Sequence, residues 1–158
     1  MSDESAPSWR PLIYVDANIF IDAIAGVSPL RPPAQRLIHE LAERRDIAVT
    51  SELSIAEVLV RVEAQKNFRR KRAYLDLIAW SGVVSLIPVT RDLLISTAKL
   101  RATHPTKLRL ADAIHLETAI RSRCRVFASS DKGIRPPVGM HRMQPDVDGV
   151  DAILKALQ

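Results

Sequence analysis

Short apolar runs alternate with longer stretches of mixed apolar and polar residues, and this pattern predicts the secondary structure. We predict strands at residues 12–15, 47–49, 83–87 and 125–128, with a short edge strand at 140–143. Helices are predicted at residues 18–25, 32–46, 91–102, 110–121 and 147–157, and two more between Ser51 and Trp80. Strands that alternate with helices indicate a sheet covered on both faces. The pattern therefore predicts an α/β fold with a central, mostly parallel sheet of four to five strands.

Several residues are typical of helix ends and sharpen these boundaries. Gly26 and Gly82 are stop signals, and Thr90 is a predicted N-cap. Thr50 or Ser51 is expected to cap the helix that follows the second strand.

The length and composition indicate one folded domain. A chain of 158 residues with 47% hydrophobic and 26% charged residues is ordinary for a globular protein. We predict a flexible tail at residues 1–10 and a single domain at residues 11–158. No apolar run reaches the length of a membrane span and no signal peptide is visible, so we expect a cytoplasmic protein. The single cysteine, Cys124, excludes an internal disulfide, and we interpret it as a small buried residue.

The charge balance favours a polyanionic partner. The chain has 23 basic and 18 acidic residues, for a net charge of +5. Basic residues that contact phosphates, together with an acidic site that holds a metal ion, would suit a nucleic acid. Two Trp, two Tyr and three Phe are too few for a base-stacking platform.

Acidic residues recur where the predicted elements would bring them to one edge of the sheet. Asp16 follows the first strand and Asp131 follows the fourth, whereas Glu57 and Asp112 lie in helices. In parallel sheets, sites form beyond the carboxyl ends of the strands. Two carboxylates about 4 Å apart repel by roughly 4 kcal/mol at an effective dielectric near 20, so a cluster favours a hard divalent cation. The acids therefore predict a magnesium or manganese site.

Each acid also has a structural interpretation. Asp16 can be a helix N-cap, and Asn18 can either cap the same helix or hold Asp16 in place. Glu57 can face solvent, Asp112 can stabilise a helix N-terminus, and Asp131 can belong to a turn.

Three basic or aromatic-ring residues near Asp112 need separate interpretation. His115 shares a helix face with Asp112, and we interpret it as a structural histidine rather than a ligand. Lys107 and Arg109 immediately precede the same helix, where they are predicted to contact substrate phosphates. Their alternative interpretation is a solvated surface.

Four segments together resemble the PIN domain family, with the closest likeness to VapC-type toxins of toxin–antitoxin pairs. They lie in the family's order along nearly the whole chain: Leu12-Ile13-Tyr14-Val15-Asp16-Ala17-Asn18-Ile19-Phe20, Ser54-Ile55-Ala56-Glu57-Val58-Leu59, Leu110-Ala111-Asp112-Ala113-Ile114-His115-Leu116 and Ser129-Ser130-Asp131. Ser129 stands where the family often has threonine and keeps the hydroxyl. Glu117 stands where alanine is common, and we expect it to face solvent.

The resemblance implies a metal-dependent endoribonuclease on a three-layer α/β/α sandwich, commonly a homodimer. It implies Mg²⁺ or Mn²⁺ as cofactor, RNA as substrate and a small antitoxin protein as partner. The family roles assign catalysis and metal binding to Asp16, Glu57, Asp112 and Asp131. Asn18 and Ser129 match the polar positions that support this cluster.

Two alternatives stay open at this point. A haloacid-dehalogenase-type phosphatase also places an aspartate after its first strand, but it normally has a second aspartate where this chain has Asn18. A PIN-like module could instead bind RNA or a protein without cutting, although all four acids are present here.

Overall fold

One parallel sheet of five strands forms the centre of the protein. The computed structural model describes residues 12–27 and 29–158, so the predicted tail at residues 1–10 lies outside the described residues. The strand order across the sheet is β3-β2-β1-β4-β5. In chain order the strands are β1 Ile13–Val15, β2 Ala48–Ser51, β3 Ser85–Ile87, β4 Val126–Ala128 and β5 His141–Met143. The predicted sheet and its edge strand are thus confirmed, and every pairing is parallel.

Helices cover both faces of the sheet, which confirms the predicted three-layer sandwich. They are α1 Ala17–Ala25, α2 Arg31–Glu43, α3 Leu53–Ala64, α4 Phe68–Leu75, α5 Arg91–Thr103, α6 Leu110–Arg121 and α7 Val147–Ala156. A π-helical segment, Asp76–Trp80, continues α4. Within the described residues, no helix has the length and apolar character that crossing a membrane requires.

The central strand β1 contributes residues to two hydrophobic clusters, because its side chains point alternately to the two faces of the sheet. Ile13 and Val15 belong to a cluster built with α1, α2, α3 and α7. Tyr14 belongs to the opposite cluster, with Phe127 of β4 and the buried face of α6. Cys124 is buried in the second cluster, as expected, and burial raises the pKa of its thiol to about 12.

Two predicted helix boundaries are wrong for identifiable reasons. α2 ends at Glu43 rather than Asp46, because Asp46 has a positive φ of 68° and the chain has already turned toward β2. Thr50 is not a cap, since it lies in β2 and its hydroxyl donates to the Val15 carbonyl. The N-cap of α3 is Glu52, which makes no side-chain capping bond; Ser51 ends the strand, although its Oγ accepts the Leu53 amide at 3.2 Å.

Candidate functional site

The parallel pairing of β1 and β4 places Asp16 and Ser129 side by side at the carboxyl edge of the sheet. Val15 pairs with Ala128 at the ends of these strands, and the Asp16 amide donates to the Ala128 carbonyl at 3.0 Å. Asp16 is also the N-cap of α1, where its Oδ1 accepts the Ala17 amide at 2.8 Å. Asp16 therefore has the capping role that the sequence suggested and also lies at the edge where sites form in parallel sheets.

Ser129 and Asn18 fix the second oxygen of the Asp16 carboxylate. Ser129 Oγ donates to Asp16 Oδ2 at 2.6 Å, and Asn18 Nδ2 donates to the same oxygen at 3.2 Å. The Asn18 amide nitrogen also lies 3.4 Å from Ser129 Oγ. Because both donors are neutral, they orient the carboxylate without neutralising its charge.

The burial of Asp16 carries an electrostatic cost. Asp16 is 7% exposed, and burial raises the pKa of its carboxyl above the usual range. His115 and the hydrogen bonds from Ser129 and Ala17 act in the opposite direction without offsetting the burial. A cation beside Asp16 would stabilise the ionised form.

Glu57 and His115 reach the same place from two helices. Glu57 lies in the second turn of α3, and its Oε2 is 2.6 Å from Nε2 of His115 on α6. The same ring nitrogen is 3.8 Å from Asp16 Oδ1. One potential ligand atom from each of the three residues lies within 4.8 Å of the others. His115 is buried and hydrogen-bonded, as a structural histidine would be, but its partners are the candidate site residues.

Tyr14 lies behind His115 and was not singled out by its position in the sequence. Its Oη is 2.5 Å from His115 Nδ1 and accepts the Ser51 amide at 3.1 Å. The Tyr14 ring stacks on Phe127 with centroids 5.0 Å apart. Burial, with a further contribution from the charge of Asp16, raises the pKa of Tyr14 well above its usual value. The phenol therefore keeps its proton.

Asp112 and Asp131 share a cation on the solvent side of the site. Arg109 Nε is 2.9 Å from Asp112 Oδ2, and a terminal guanidinium nitrogen is 3.6 Å from Asp131 Oδ2. The Arg109 side chain is 80% exposed, so water screens both ion pairs. Asp131 also has its predicted turn role, because its Oδ1 accepts the Gly133 amide at 2.8 Å. Its own amide donates to Ser129 Oγ at 3.0 Å, which ties this loop to Asp16.

The same group of carboxylates raises the pKa of two basic side chains. The pKa of Arg109 is raised by its hydrogen bond to Asp112 and by the charges of Asp112, Asp131 and Glu57. Burial lowers the pKa of His115, but the hydrogen bond to Glu57 and the nearby carboxylates outweigh it and the pKa is raised.

We call Asp16 and Glu57 the inner acids, and Asp112 and Asp131 the outer acids.

Two other predicted positions behave differently. Lys107 is exposed, and no contact among the described residues joins it to the acids. Glu117 is 8% exposed, so the expectation that it faces solvent is wrong. It lies in the part of α6 that packs on the sheet, where Leu116, Thr118 and Ala119 are also buried.

Sequence reasoning gave too little weight to His115 and missed Tyr14. The signal for His115 was present, since residues three apart on a helix share a face and Asp112 was already a candidate. Tyr14 carries a hydroxyl in the centre of an otherwise apolar strand, and a buried hydroxyl needs a hydrogen-bond partner.

The donor set fits a hard divalent cation. Carboxylate and amide oxygens are the ligands that Mg²⁺ and Mn²⁺ prefer. Asp16 and Glu57 supply carboxylates, and Asn18 Oδ1 is a buried oxygen with no hydrogen-bond partner among the described residues. The orientation of the Asn18 amide is set by its nitrogen, which donates toward Asp16 and Ser129. An amide oxygen without a partner beside the Asp16 carboxylate is expected where a cation completes the site.

A groove of about 250 Å³ opens beside Glu57 between α1, α3 and α4. Its walls include Ile21 and Tyr74 as well as two basic side chains, Arg61 and Arg70. The groove therefore combines apolar surface with positive charge next to an acidic site.

A family model shows the family of the chain, and solved structures show the same fold. The profile of the PIN domain family matches residues 13–136, well over half of the chain. A toxin–antitoxin complex from Klebsiella pneumoniae is similar, with a TM-score of 0.60 and 25% identity, covering 85% of this chain and 97% of that one. VapC20 of Mycobacterium tuberculosis, described as a sarcin–ricin loop cleaving toxin, has a TM-score of 0.63 and 19% identity, covering 78% and 99%. FitAB bound to an IR36 DNA fragment has a TM-score of 0.63 and 19% identity, covering 85% and 95%. A search of curated protein sequences found no significant match.

Proposed function

Because the chain belongs to the PIN domain family, we propose that it is a metal-dependent endoribonuclease that hydrolyses RNA phosphodiester bonds. The observation that carries this proposal is the group formed by Asp16, Glu57 and His115 at the carboxyl edge of the sheet, with Asp112 and Asp131 beside it. The description of VapC20 as a cleaving toxin supports the same reaction class. The family match also argues against the phosphatase alternative.

In the proposed site, the four acids would hold Mg²⁺ or Mn²⁺. A divalent cation held there would lower the pKa of water and offset the negative charge that develops on the phosphodiester. Ser129, Asn18 and the Ala17 amide keep Asp16 in one orientation, so the carboxylate is preorganised.

Arg109 is the proposed contact for the substrate phosphate. It lies beside the outer acids and is largely in water, so it can exchange a carboxylate for a phosphate at little cost. Lys107 is a second proposed phosphate contact. In-line attack by water is expected to leave a 3′ hydroxyl and a 5′ phosphate.

The test is incubation of total cellular RNA with the purified protein in Mg²⁺ or Mn²⁺. EDTA and the Asp16→Asn variant are paired controls. Discrete fragments that appear with the metal and are absent from both controls are the expected result. An intact RNA pool after treatment with folded, metal-loaded protein that is free of any partner would contradict the proposal and favour a module that binds without cutting.

We further propose that the protein is the toxin of a toxin–antitoxin pair. The similar Klebsiella pneumoniae structure is a toxin–antitoxin complex, and this supports a small protein partner. We expect a short open reading frame next to the gene, and co-expression of its product should suppress RNA cleavage. A homodimer stays a prediction, which light scattering on the purified protein can test.

A further inference from the structure

A chain of hydrogen bonds runs from the backbone of β2 through two side chains to Glu57. The Ser51 amide donates to Tyr14 Oη at 3.1 Å, Tyr14 Oη lies 2.5 Å from His115 Nδ1, and His115 Nε2 lies 2.6 Å from Glu57 Oε2. The chain links β2, β1, α6 and α3, which are four separate elements of the fold.

The donors and acceptors assign a direction to the protons. The Tyr14 hydroxyl accepts from the Ser51 amide and has one proton of its own, which in the proposed arrangement it donates to His115 Nδ1. A neutral imidazole that accepts at Nδ1 carries its proton on Nε2. That proton points to Glu57, whose carboxylate can only accept.

Glu57 needs such a support more than Asp16 does. Asp16 is held by three donors close to it in the fold, whereas the Glu57 side chain is 34% exposed and extends from a helix. His115 is 2% exposed at its side chain, and stacking on Phe127 fixes the Tyr14 ring behind it. The buried pair can therefore restrict a carboxylate that would otherwise sample several rotamers.

We propose that Tyr14 and His115 are positioning residues, and that His115 holds Glu57 by donating from Nε2 rather than by binding the metal ion itself. This inference rests on the proposed function, because it concerns how Glu57 is presented to the cation. A carboxylate has two oxygens, so Glu57 can accept from His115 with Oε2 and face a cation with the other.

The competing arrangement makes His115 a ligand and requires the opposite tautomer. Metal binding through Nε2 needs that nitrogen unprotonated, so Nδ1 would carry the proton and donate to the Tyr14 oxygen. The two arrangements place the same atoms at the same distances and differ only in where one proton lies.

Nitrogen NMR of the full-length protein labelled with ¹⁵N-histidine distinguishes the two arrangements. The spectra are recorded at increasing pH until the nitrogen signals show a neutral imidazole, first without metal and then with saturating Mg²⁺. His115 is expected to show a protonated Nε2 and an unprotonated Nδ1 in both states. A protonated Nδ1 in the metal-free protein, or loss of the Nε2 proton when Mg²⁺ is added, would overturn the proposal.

Calorimetric titration with Mn²⁺ tests the positioning role. Tyr14→Phe removes the hydroxyl and keeps the ring, and it is expected to weaken Mn²⁺ binding by less than the roughly 10-fold to 100-fold loss that follows removal of a partner directly behind a ligand, because His115 stands between Tyr14 and Glu57. Tyr74→Phe is the matched control, since Tyr74 is the other tyrosine of the chain, is also buried and lies outside the hydrogen-bond chain. Equal affinities for Tyr14→Phe and Tyr74→Phe would contradict the proposal.

Two substitutions of His115 separate positioning from packing. The terminal amide nitrogen of His115→Gln can replace the Nε2 donor, so this variant is expected to retain more Mn²⁺ affinity than His115→Leu, which cannot donate. Equal losses in the two variants would argue against a donor role.

Failure of this inference is distinguishable from failure of the proposed function. If the parent protein neither binds Mn²⁺ nor cleaves RNA, the proposed function is wrong, whereas the metal-free NMR spectrum still reports the tautomer. If the parent binds and cleaves while Tyr14→Phe matches it in both assays, only the positioning role is wrong.

Discussion

The inner and outer acids lie around one site, but their partners differ in burial. Asp16 and Glu57 are bonded to Ser129 and His115, which are both buried. Asp112 and Asp131 are paired with Arg109, whose side chain is 80% exposed. The inner partners are buried and hold the carboxylates in fixed directions, whereas the outer partner is largely in water and can leave. The site thus combines a preorganised half with an exchangeable half.

This difference indicates a division of labour in the proposed reaction. Groups that must hold a cation gain from buried hydrogen-bond partners, since reorientation then costs several hydrogen bonds at once. A group that must contact different phosphates along an RNA chain gains from a solvated ion pair of about 0–1 kcal/mol.

The largest effect is expected from removal of an inner charge. Asp16→Asn keeps the size of the side chain but removes its charge, so we expect cleavage to fall by at least about 100-fold to 1000-fold. The fold should persist, because burial raises the pKa of Asp16 and loss of the charge relieves that cost. Initial rates on a fluorogenic RNA and a thermal melt measure both effects.

Asp151→Asn is the matched control for this substitution. Asp151 lies on α7 in an exposed pair with Arg36, so its loss should leave cleavage unchanged. Parental activity in Asp16→Asn would remove Asp16 from the proposed site. Asp112→Asn is expected to abolish cleavage as well, because both halves are needed.

The second effect is stabilisation by the metal itself. A ligand that binds the folded state at 100 times its dissociation constant adds about 2.7 kcal/mol to the free energy of unfolding. Mn²⁺ should therefore raise the melting temperature of the parent and of Asp151→Asn, but not that of Asp16→Asn. An equal rise in all three proteins would indicate binding elsewhere on the chain.

The sequence predicted the fold well because the relevant signals are local. Apolar runs, Gly82 with its positive φ and the Thr90 cap all act within a few residues of the boundary that they mark. The placement of Asp16 and Asp131 also followed from a general rule, since residues after parallel strands share one edge, whereas Glu57 and Asp112 lie in helices to which this rule does not apply.

The partners of the acids could not be predicted in the same way. Tyr14 and His115 are 101 residues apart, and Glu57 and His115 are 58 apart. Such contacts depend on the positions and orientations in which α3 and α6 pack against β1. Helical periodicity in the sequence shows only which face of each helix is buried. Glu117 was misplaced for the same reason, because α6 is buried on more of its circumference than its pattern indicated.

The third effect is expected from Arg109→Ala, which should weaken RNA binding and strengthen metal binding. Loss of the guanidinium should raise the KM for RNA about 3-fold to 10-fold, near the 1 kcal/mol scale of a solvated ionic contact. The same change should strengthen Mn²⁺ binding slightly, because the outer acids lose the cation that competes for them. Steady-state kinetics and calorimetry provide the two measurements.

Arg91→Ala is the control, since Arg91 is an exposed arginine at the start of α5. It should change neither quantity. If Arg109→Ala weakens Mn²⁺ binding and leaves KM unchanged, Arg109 supports the acids rather than the substrate, and the exchangeable half of the site is wrongly assigned.

The smallest effect is expected from Lys107→Ala. Lys107 is exposed two residues before Arg109, so any contribution to binding must come from a direct phosphate contact. Each phosphate contact on a single strand contributes about 0.7 to the slope of log affinity against log salt concentration. Lys107→Ala should therefore reduce the slope by about that amount and weaken binding most at low salt, with cleavage of bound RNA unchanged.

Lys155→Ala, an exposed change on α7, is the control for general loss of positive charge. Equal slopes for the two variants would return Lys107 to the solvated surface and leave Arg109 as the proposed phosphate contact on this side of the site.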